Sequence, residues 1–499
     1  MRNSPADLPP DAFRSAGHEL VDRIADFLAS LPDRPVAPDL SPSSVRALLG
    51  APTLPTQGSE PATILAEATD LVLNNSTFNG HPRFFGYITS SAAPIGALAD
   101  MLAAAVNANC GAWSLSPMAT EIERQSVRWI SELIGFAPDA GGLIESGGNM
   151  ANMVCLISAL KSVAGYDMRA EGRTSAARLA VYASAEVHTW LQKGLDICGL
   201  GTDSMRAIPV DAGLAMDVGA LERRIHEDIA NGWKPAVVIG TAGSVSTGAI
   251  DPLGDLATLC AKEGIWFHVD GAYGAPAAML PDAPEALRGI SRADSVAVDP
   301  HKWLYSPLEA GCALVRDPEK LRSAFSFHPP YYRFDGDSED PPTNFHEWGP
   351  QNSRGFRALK VWATIRQCGR DGYVRMISDD IAISREMYRL AAAHDELEPL
   401  TQSLSIATFR YVPRELRATV GSPDTEAYLN QLNTALLERL QKAGEVYLSN
   451  AVIGGRFALR ACIVNFRTSM ADAQTVVEVA VRSGRALHAE GGGAAKVGH

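Results

Sequence analysis

The run from Ser295 to Leu304, SVAVDPHKWL, sets one lysine, Lys302, between His301 and Trp303 directly after an apolar, strand-like stretch. An amine among apolar and aromatic neighbours loses its proton more readily than a surface lysine and becomes a nucleophile able to form an imine with a carbonyl. The obvious carbonyl is that of pyridoxal phosphate (PLP). A His-Lys pair is weak support alone; the segments upstream decide.

In GIWFHVDGAYGA, Gly264 to Ala275, an apolar strand ends in Asp270 and small residues follow. PLP works as an electron sink only while its ring nitrogen stays protonated, and a strand-end carboxylate can hold that proton. Asp270 is the candidate, with Ala272 small enough to let the ring lie flat; the competing reading is an Asp capping a helix. In GGLIESGGNMANM, Gly141 to Met153, Gly147 and Gly148 bring backbone amides toward an anion at a helix start, and Asn149 adds a side-chain donor. His188, near a helix start in VYASAEVHTWLQKGLDICGLG, is a candidate to stack on a cofactor ring. Thr241, in VVIGTAGSVSTGAIDPL, is placed to touch the cofactor from below. Each piece alone has an ordinary structural explanation.

The elements that must position these residues follow from the hydrophobic pattern. Before about residue 92, apolar residues at helical spacing (Leu20, Val21, Ile24, Leu28) flank a Pro-rich linker, which predicts helices with one apolar face and little of their own to cover it. Residues 93–368 alternate strand-like runs (RLAVYAS, PAVVIGT, IWFHVD, SVAVDP, CALVR) with helical stretches, the pattern of an α/β domain with a mostly parallel sheet. Cofactors of such sheets sit at the carboxyl ends of the strands, where Asp270 and Lys302 fall. Residues 369–499 read as a small α+β domain: a helix around Ile377 to Ala393, then SIATFRYVP and FALRACIVNF alternating as antiparallel strands.

The chain has 499 residues, 46% of them hydrophobic, enough for a large core and more than one domain. Its formal charge, 44 − 57 = −13, argues against nucleic acid or an anionic membrane as partner. Seven cysteines without C-x-x-C spacing predict reduced thiols, with neither a disulfide framework nor a metal site. No apolar stretch approaches the ~20 residues that span a bilayer, so the cytoplasm is the expected location. The tail GGGAAKVGH reads as flexible.

Taken in order, the glycine loop, histidine, threonine loop, strand-end aspartate and His-Lys closely resemble the group II PLP-dependent decarboxylases, the family of aromatic-L-amino-acid, histidine, glutamate and cysteine-sulfinate decarboxylases. FRSAGHELVDRIADFL, GHPRFFGYITSSAAPIGALADML, SPMATEIERQSVRWI and SRGFRALKVW extend the resemblance over nearly the whole chain. It implies a fold-type I enzyme and a homodimer whose N-terminal helices lie over each other. The segment from about Phe327 to Trp348 would then be a lid reaching the partner's site, and its Tyr331, with Tyr332 adjacent, would return a proton to Cα. It also implies an aromatic substrate pocket containing Phe84, Phe85, Tyr87 and Trp113.

Two departures stand out. Many relatives carry Asn three residues before the lysine, where this chain has Asp299; a carboxylate beside a phosphate would repel it, which shifts phosphate binding toward His301. Ile88, Asn79 and Gly111 replace bulkier residues of the animal aromatic enzymes, which predicts a roomier pocket. Arg83 and Arg354 are candidates for a substrate's distal carboxylate. Besides aromatic decarboxylation, the residues leave open an aldehyde synthase or acidic-amino-acid decarboxylase on the same scaffold, an aminotransferase, and a PLP-binding protein without turnover.

Overall fold

Proline occupies the opening of α1 (Pro10–Ser30), α2 (Pro42–Leu48), α3 (Pro61–Asn74), α4 (Pro94–Val106) and α5 (Pro117–Leu133), where its fixed φ suits the first turn and its missing N–H has no helical partner to lose. The computed structural model describes residues 4–50, 53–172, 178–327 and 342–491. In it α1 buries none of its side chains. Leu98, Met101, Leu102 and Val106 of α4 are also exposed.

The central sheet is built from β1 (Gly141–Glu145), β2 (Leu179–Ser184), β3 (Met205–Ile208), β4 (Lys234–Thr241), β5 (Trp266–Asp270), β6 (Ser295–Val298) and β7 (Gly311–Val315), in the spatial order β1-β7-β6-β5-β4-β2-β3. Only β7 runs antiparallel to its neighbours. Between the strands come α6 (Gly148–Val163), α7 (Met168–Glu171), α8 (Trp190–Ile197), α9 (Val218–Ala230) and α10 (Leu253–Glu263). A sheet covered on both faces needs apolar residues on both sides of each strand. The strands supply them: Leu179, Val181, Ala183, Val237 and Ile239 enter the core under α6 and α8, while Ala180, Tyr182 and Val238 enter the core shared with α9 and α10.

After α11 (Pro318–Phe325), helix α12 runs from Ala358 to Ala392 with a break at Gly369, whose φ of +60° suits glycine. The helix expected from Ile377 therefore begins earlier and bends. A second, antiparallel sheet, β10-β11-β9-β8, comprises β8 (Leu397–Ser403), β9 (Ile406–Tyr411), β10 (Ser449–Ile453) and β11 (Arg456–Cys462), backed by α13 (Pro423–Ala443) and α14 (Met470–Glu490). The segment Arg83–Phe85, read as part of the N-terminal helical unit, instead hydrogen-bonds along this small sheet: Phe85 N–H donates to Tyr447 O, and the Phe85 carbonyl accepts from Cys462 N–H. Among the described residues, no helix is long and apolar enough to cross a membrane.

Candidate active site

Parallel pairing brings the strand ends together. Thr241, the last residue of β4, is paired with Asp270, the last of β5, which is in turn paired with Ala297 of β6. A turn closed by Lys302 N–H to Asp299 O comes after β6. These ends line a cavity of about 580 Å³ that contains Gly147, Gly148, Asn149, His188, Thr241, Asp270, Ala272, His301 and Lys302. All nine sequence-derived cofactor residues therefore share one space.

The glycines are there for room. Gly147 has φ +104°, and a Cβ on Gly311 of β7 would lie 2.4 Å from its backbone. That approach leaves the first turn of α6 facing the cavity, with no side chain capping it. Asp270 is buried; its Oδ2 accepts the indole N–H of Trp190 at 2.7 Å and its Oδ1 the backbone N–H of Ala272 at 3.2 Å. Burial lowers the pKa of both His188 and His301. His301 Nδ1 is held against the backbone of Ala310, 2.6 Å from its oxygen. Thr241 is fixed through its N–H to Asp251 Oδ2 at 2.8 Å, while its hydroxyl has no partner among the described residues.

Lys302 sits differently from the apolar setting read from the sequence. Its Nζ lies 3.0 Å from Asp299 Oδ2. Trp303 turns away into the core, stacked on Tyr273 and donating to Asp380 Oδ2 at 2.8 Å; Tyr305 donates to the same oxygen at 2.6 Å. Burial pushes Asp380 up to about 7.

Of the substrate-pocket residues, Tyr87 and Ile88 line the cavity and the others do not. Phe84 is buried against Tyr447 and Phe85 is fully buried in the small-domain core, because their segment is zipped to that domain. Trp113 stands at the surface, 36% exposed, donating to Glu121. Gly111 gives no extra room, since a Cβ there would meet Asn352 O at 2.1 Å. Neither candidate arginine faces the cavity. Arg354 is buried on Glu123 at 2.6 Å, and Arg83 donates to Glu445 O. Tyr331, Tyr332 and most of the expected lid lie outside the described residues.

Three residues that the sequence reading passed over belong here: Trp190, Asp380 and Arg460. Arg460 lines the cavity, donates to Ser449 Oγ at 2.8 Å, and has no partner for Nε or Nη2 among the described residues. An arginine inside the apolar run FALRACIVNF was the signal available for it.

Residues 42–412 match the model of the pyridoxal-dependent decarboxylase conserved domain. The chain belongs to this family. It is 33% identical over 463 residues to an aromatic-L-amino-acid decarboxylase of Bacillus atrophaeus, covering 93% of each chain. It is 31% identical to a phenylacetaldehyde synthase of Petunia hybrida, covering 91% of this chain and 90% of that one. Oryza sativa TDC, solved with PLP and tryptamine, superposes with a TM-score of 0.88 at 27% identity, covering 97% of this chain and all of that one. The protein is thus a PLP-dependent carboxy-lyase of amino acids.

The residues present fit that cofactor. The cavity offers a lysine amine, a buried strand-end carboxylate, an unpartnered buried hydroxyl at Thr241 and an uncapped helix start. Asp299 Oδ1, also buried without a partner among the described residues, is a group that a phosphate there would not welcome.

Proposed function

We propose that the protein removes the carboxyl group of an aromatic L-amino acid (tryptophan, tyrosine, phenylalanine or DOPA) and releases the amine and CO2. The observation that carries this reading is the convergence of Lys302, Asp270, Thr241 and His188 on one cavity in a chain whose relatives include an aromatic-L-amino-acid decarboxylase.

When bound, PLP supplies an electron sink for the pair left on Cα as CO2 departs. Lys302 Nζ is the amine that holds the cofactor and yields its place to the substrate amine. Asp270 keeps the proton on the ring nitrogen. The amides at Gly147–Asn149 and the start of α6 hold the phosphate, with His301 as a further donor, and Thr241 touches the cofactor from below. His188 covers the ring, and Tyr87, Ile88 and Leu308 provide an apolar wall for the substrate side chain. Tyr331, with Tyr332 beside it, is the proposed proton donor to Cα.

Arg460, which lines the cavity, favours a second reading, in which its guanidinium meets a distal carboxylate and the substrate is acidic. The Petunia relative raises an aldehyde-forming outcome. A panel of the four aromatic amino acids, glutamate and cysteine sulfinate, read for amine, CO2 and aldehyde, separates the three. Aromatic amine is expected; turnover confined to the acidic substrates overturns the aromatic assignment, and aldehyde as main product overturns the decarboxylase outcome.

We read the protein as a cytoplasmic homodimer. The exposed Leu98, Met101, Leu102 and Val106 of α4, together with Leu115 and Met118, support a covering partner copy, because apolar surface of this extent is unusual on a monomer.

A further inference from the structure

Trp190 stands between two groups that the proposed chemistry depends on, and it holds both. It opens α8, where the first N–H groups of a helix have no helical acceptor. Its own backbone N–H donates to His188 Nδ1 at 3.2 Å. That bond makes Nδ1 an acceptor, so the remaining ring N–H of a neutral His188 is on Nε2. The side chain of the same residue, 1% exposed, donates its indole N–H to Asp270 Oδ2 at 2.7 Å.

The indole is itself held by a directional chain of neutral groups. Its ring meets His268 edge-on, with centroids 6.0 Å apart. Asn152 Nδ2 donates to Gly148 O at 2.9 Å, which turns Asn152 Oδ1 toward His268 Nε2 at 2.7 Å and makes that nitrogen the donor. His268 Nδ1 then accepts from the Ser295 hydroxyl at 2.9 Å, and Ser295 Oγ accepts from the Trp266 indole at 2.9 Å. The chain ends at Gly148, in the loop assigned above to the phosphate. Burial keeps His268 uncharged, so no second cation competes for Asp270.

We propose that Trp190 is a positioning residue for the reaction, aiming Asp270 at the ring nitrogen of bound PLP through its indole N–H and setting the His188 ring through its backbone N–H. This rests on the PLP decarboxylase reading. A carboxylate that already accepts N–H donors on both oxygens meets the cofactor as an acceptor with its orientation fixed. Without the indole donor, Oδ2 loses the side chain that orients it, the carboxylate is free to rotate, and a proton shared with the ring nitrogen moves toward Asp270.

The test uses full-length protein loaded with PLP carrying 15N in the ring. Trp190→Phe keeps an aromatic ring against His268 and deletes the donor. Benzothienylalanine placed at position 190 keeps the bicyclic shape and replaces the N–H with sulfur, so folding is preserved if the phenylalanine variant is unstable. Both are expected to move the ring-nitrogen resonance from the protonated toward the unprotonated range. Both are also expected to weaken PLP binding and lower kcat about tenfold or more, as for loss of one hydrogen bond to a charged group, with KM within about twofold. An unchanged resonance and PLP affinity in the benzothienyl protein overturns the proposal. A parent that shows the protonated resonance, loses it on substitution and yet makes no amine would strike the function assigned above while supporting this one.

Discussion

Lys302 Nζ lies 3.0 Å from Asp299 Oδ2, and that same oxygen is so close to Gly148 that a Cβ there would come within 2.4 Å of it. The carboxylate is therefore the counter-ion of the lysine, and it stands beside the amides at the start of α6. A phosphate approaching the same amides meets that charge.

Asp299→Asn removes the competing anion while keeping the shape. Apo-protein of this variant is expected to bind PLP about two- to fivefold more tightly, the range for one charge at a helix start. Titration followed by protein fluorescence measures it. Weaker binding would mean that Asp299 acts mainly by orienting Lys302.

Lys302→Ala should abolish the visible absorption band of the bound cofactor and reduce turnover to background, since no other lysine among the described residues lines the cavity. Borohydride treatment followed by mass spectrometry of the variant checks it. A stable adduct on another residue would refute the assignment.

The α4 surface and the N-terminal helices bear on assembly. Deleting residues 1 to about 80 removes the helices proposed to cover the partner copy and should give insoluble or inactive protein by sedimentation and activity assay. A soluble, fully active monomer would refute the dimer.

His268 carries a pH signature. Burial holds its imidazole down at about 4, whereas an unfolded histidine titrates near ~6.5. Between those values the unfolded chain takes up a proton that the folded chain refuses, so this contribution to stability is complete above about 6.5 and is lost as pH falls toward 4, by at most ~3 kcal/mol. His268→Gln removes the titration. The difference in melting temperature between parent and variant should shrink from pH 7.5 to pH 5; a gap independent of pH would mean that folding leaves the imidazole's pKa unshifted.

How far the site was legible depends on the kind of contact each residue makes. The convergence of Gly147, Thr241, Asp270 and Lys302 on one cavity could be read because each follows a short apolar run, and parallel pairing brings such ends to one edge. The order of the sheet, with β7 antiparallel between β1 and β6, was not readable, since a five-residue apolar strand carries no direction. Phe84 and Phe85 misled because they flank Tyr87 in sequence, while hydrogen bonds to Tyr447 and Cys462, more than 300 positions away, draw them into the small domain. Arg354 and Arg460 look alike in sequence. Only the fold reveals that Glu123 takes the first, while the second lines the cavity.

We propose that Tyr331 decides which product forms once CO2 has left. It lies outside the described residues, and its role rests on the family resemblance. If Tyr331 returns the proton to Cα, Tyr331→Phe should keep CO2 release near the parent's rate and divert the product toward aldehyde, ammonia and peroxide, because an unprotonated carbanionic site is open to oxygen. Tyr332→Phe, one residue on, should leave amine as the main product. Amine, aldehyde and peroxide are measured for both variants on the aromatic amino acid that the panel favours, with and without oxygen; without oxygen, CO2 release by Tyr331→Phe should slow after about one turnover per site, because the intermediate then has no ready exit. Clean amine formation by both variants would move the proton donor elsewhere, and His188, which lines the cavity, would become the residue to change next.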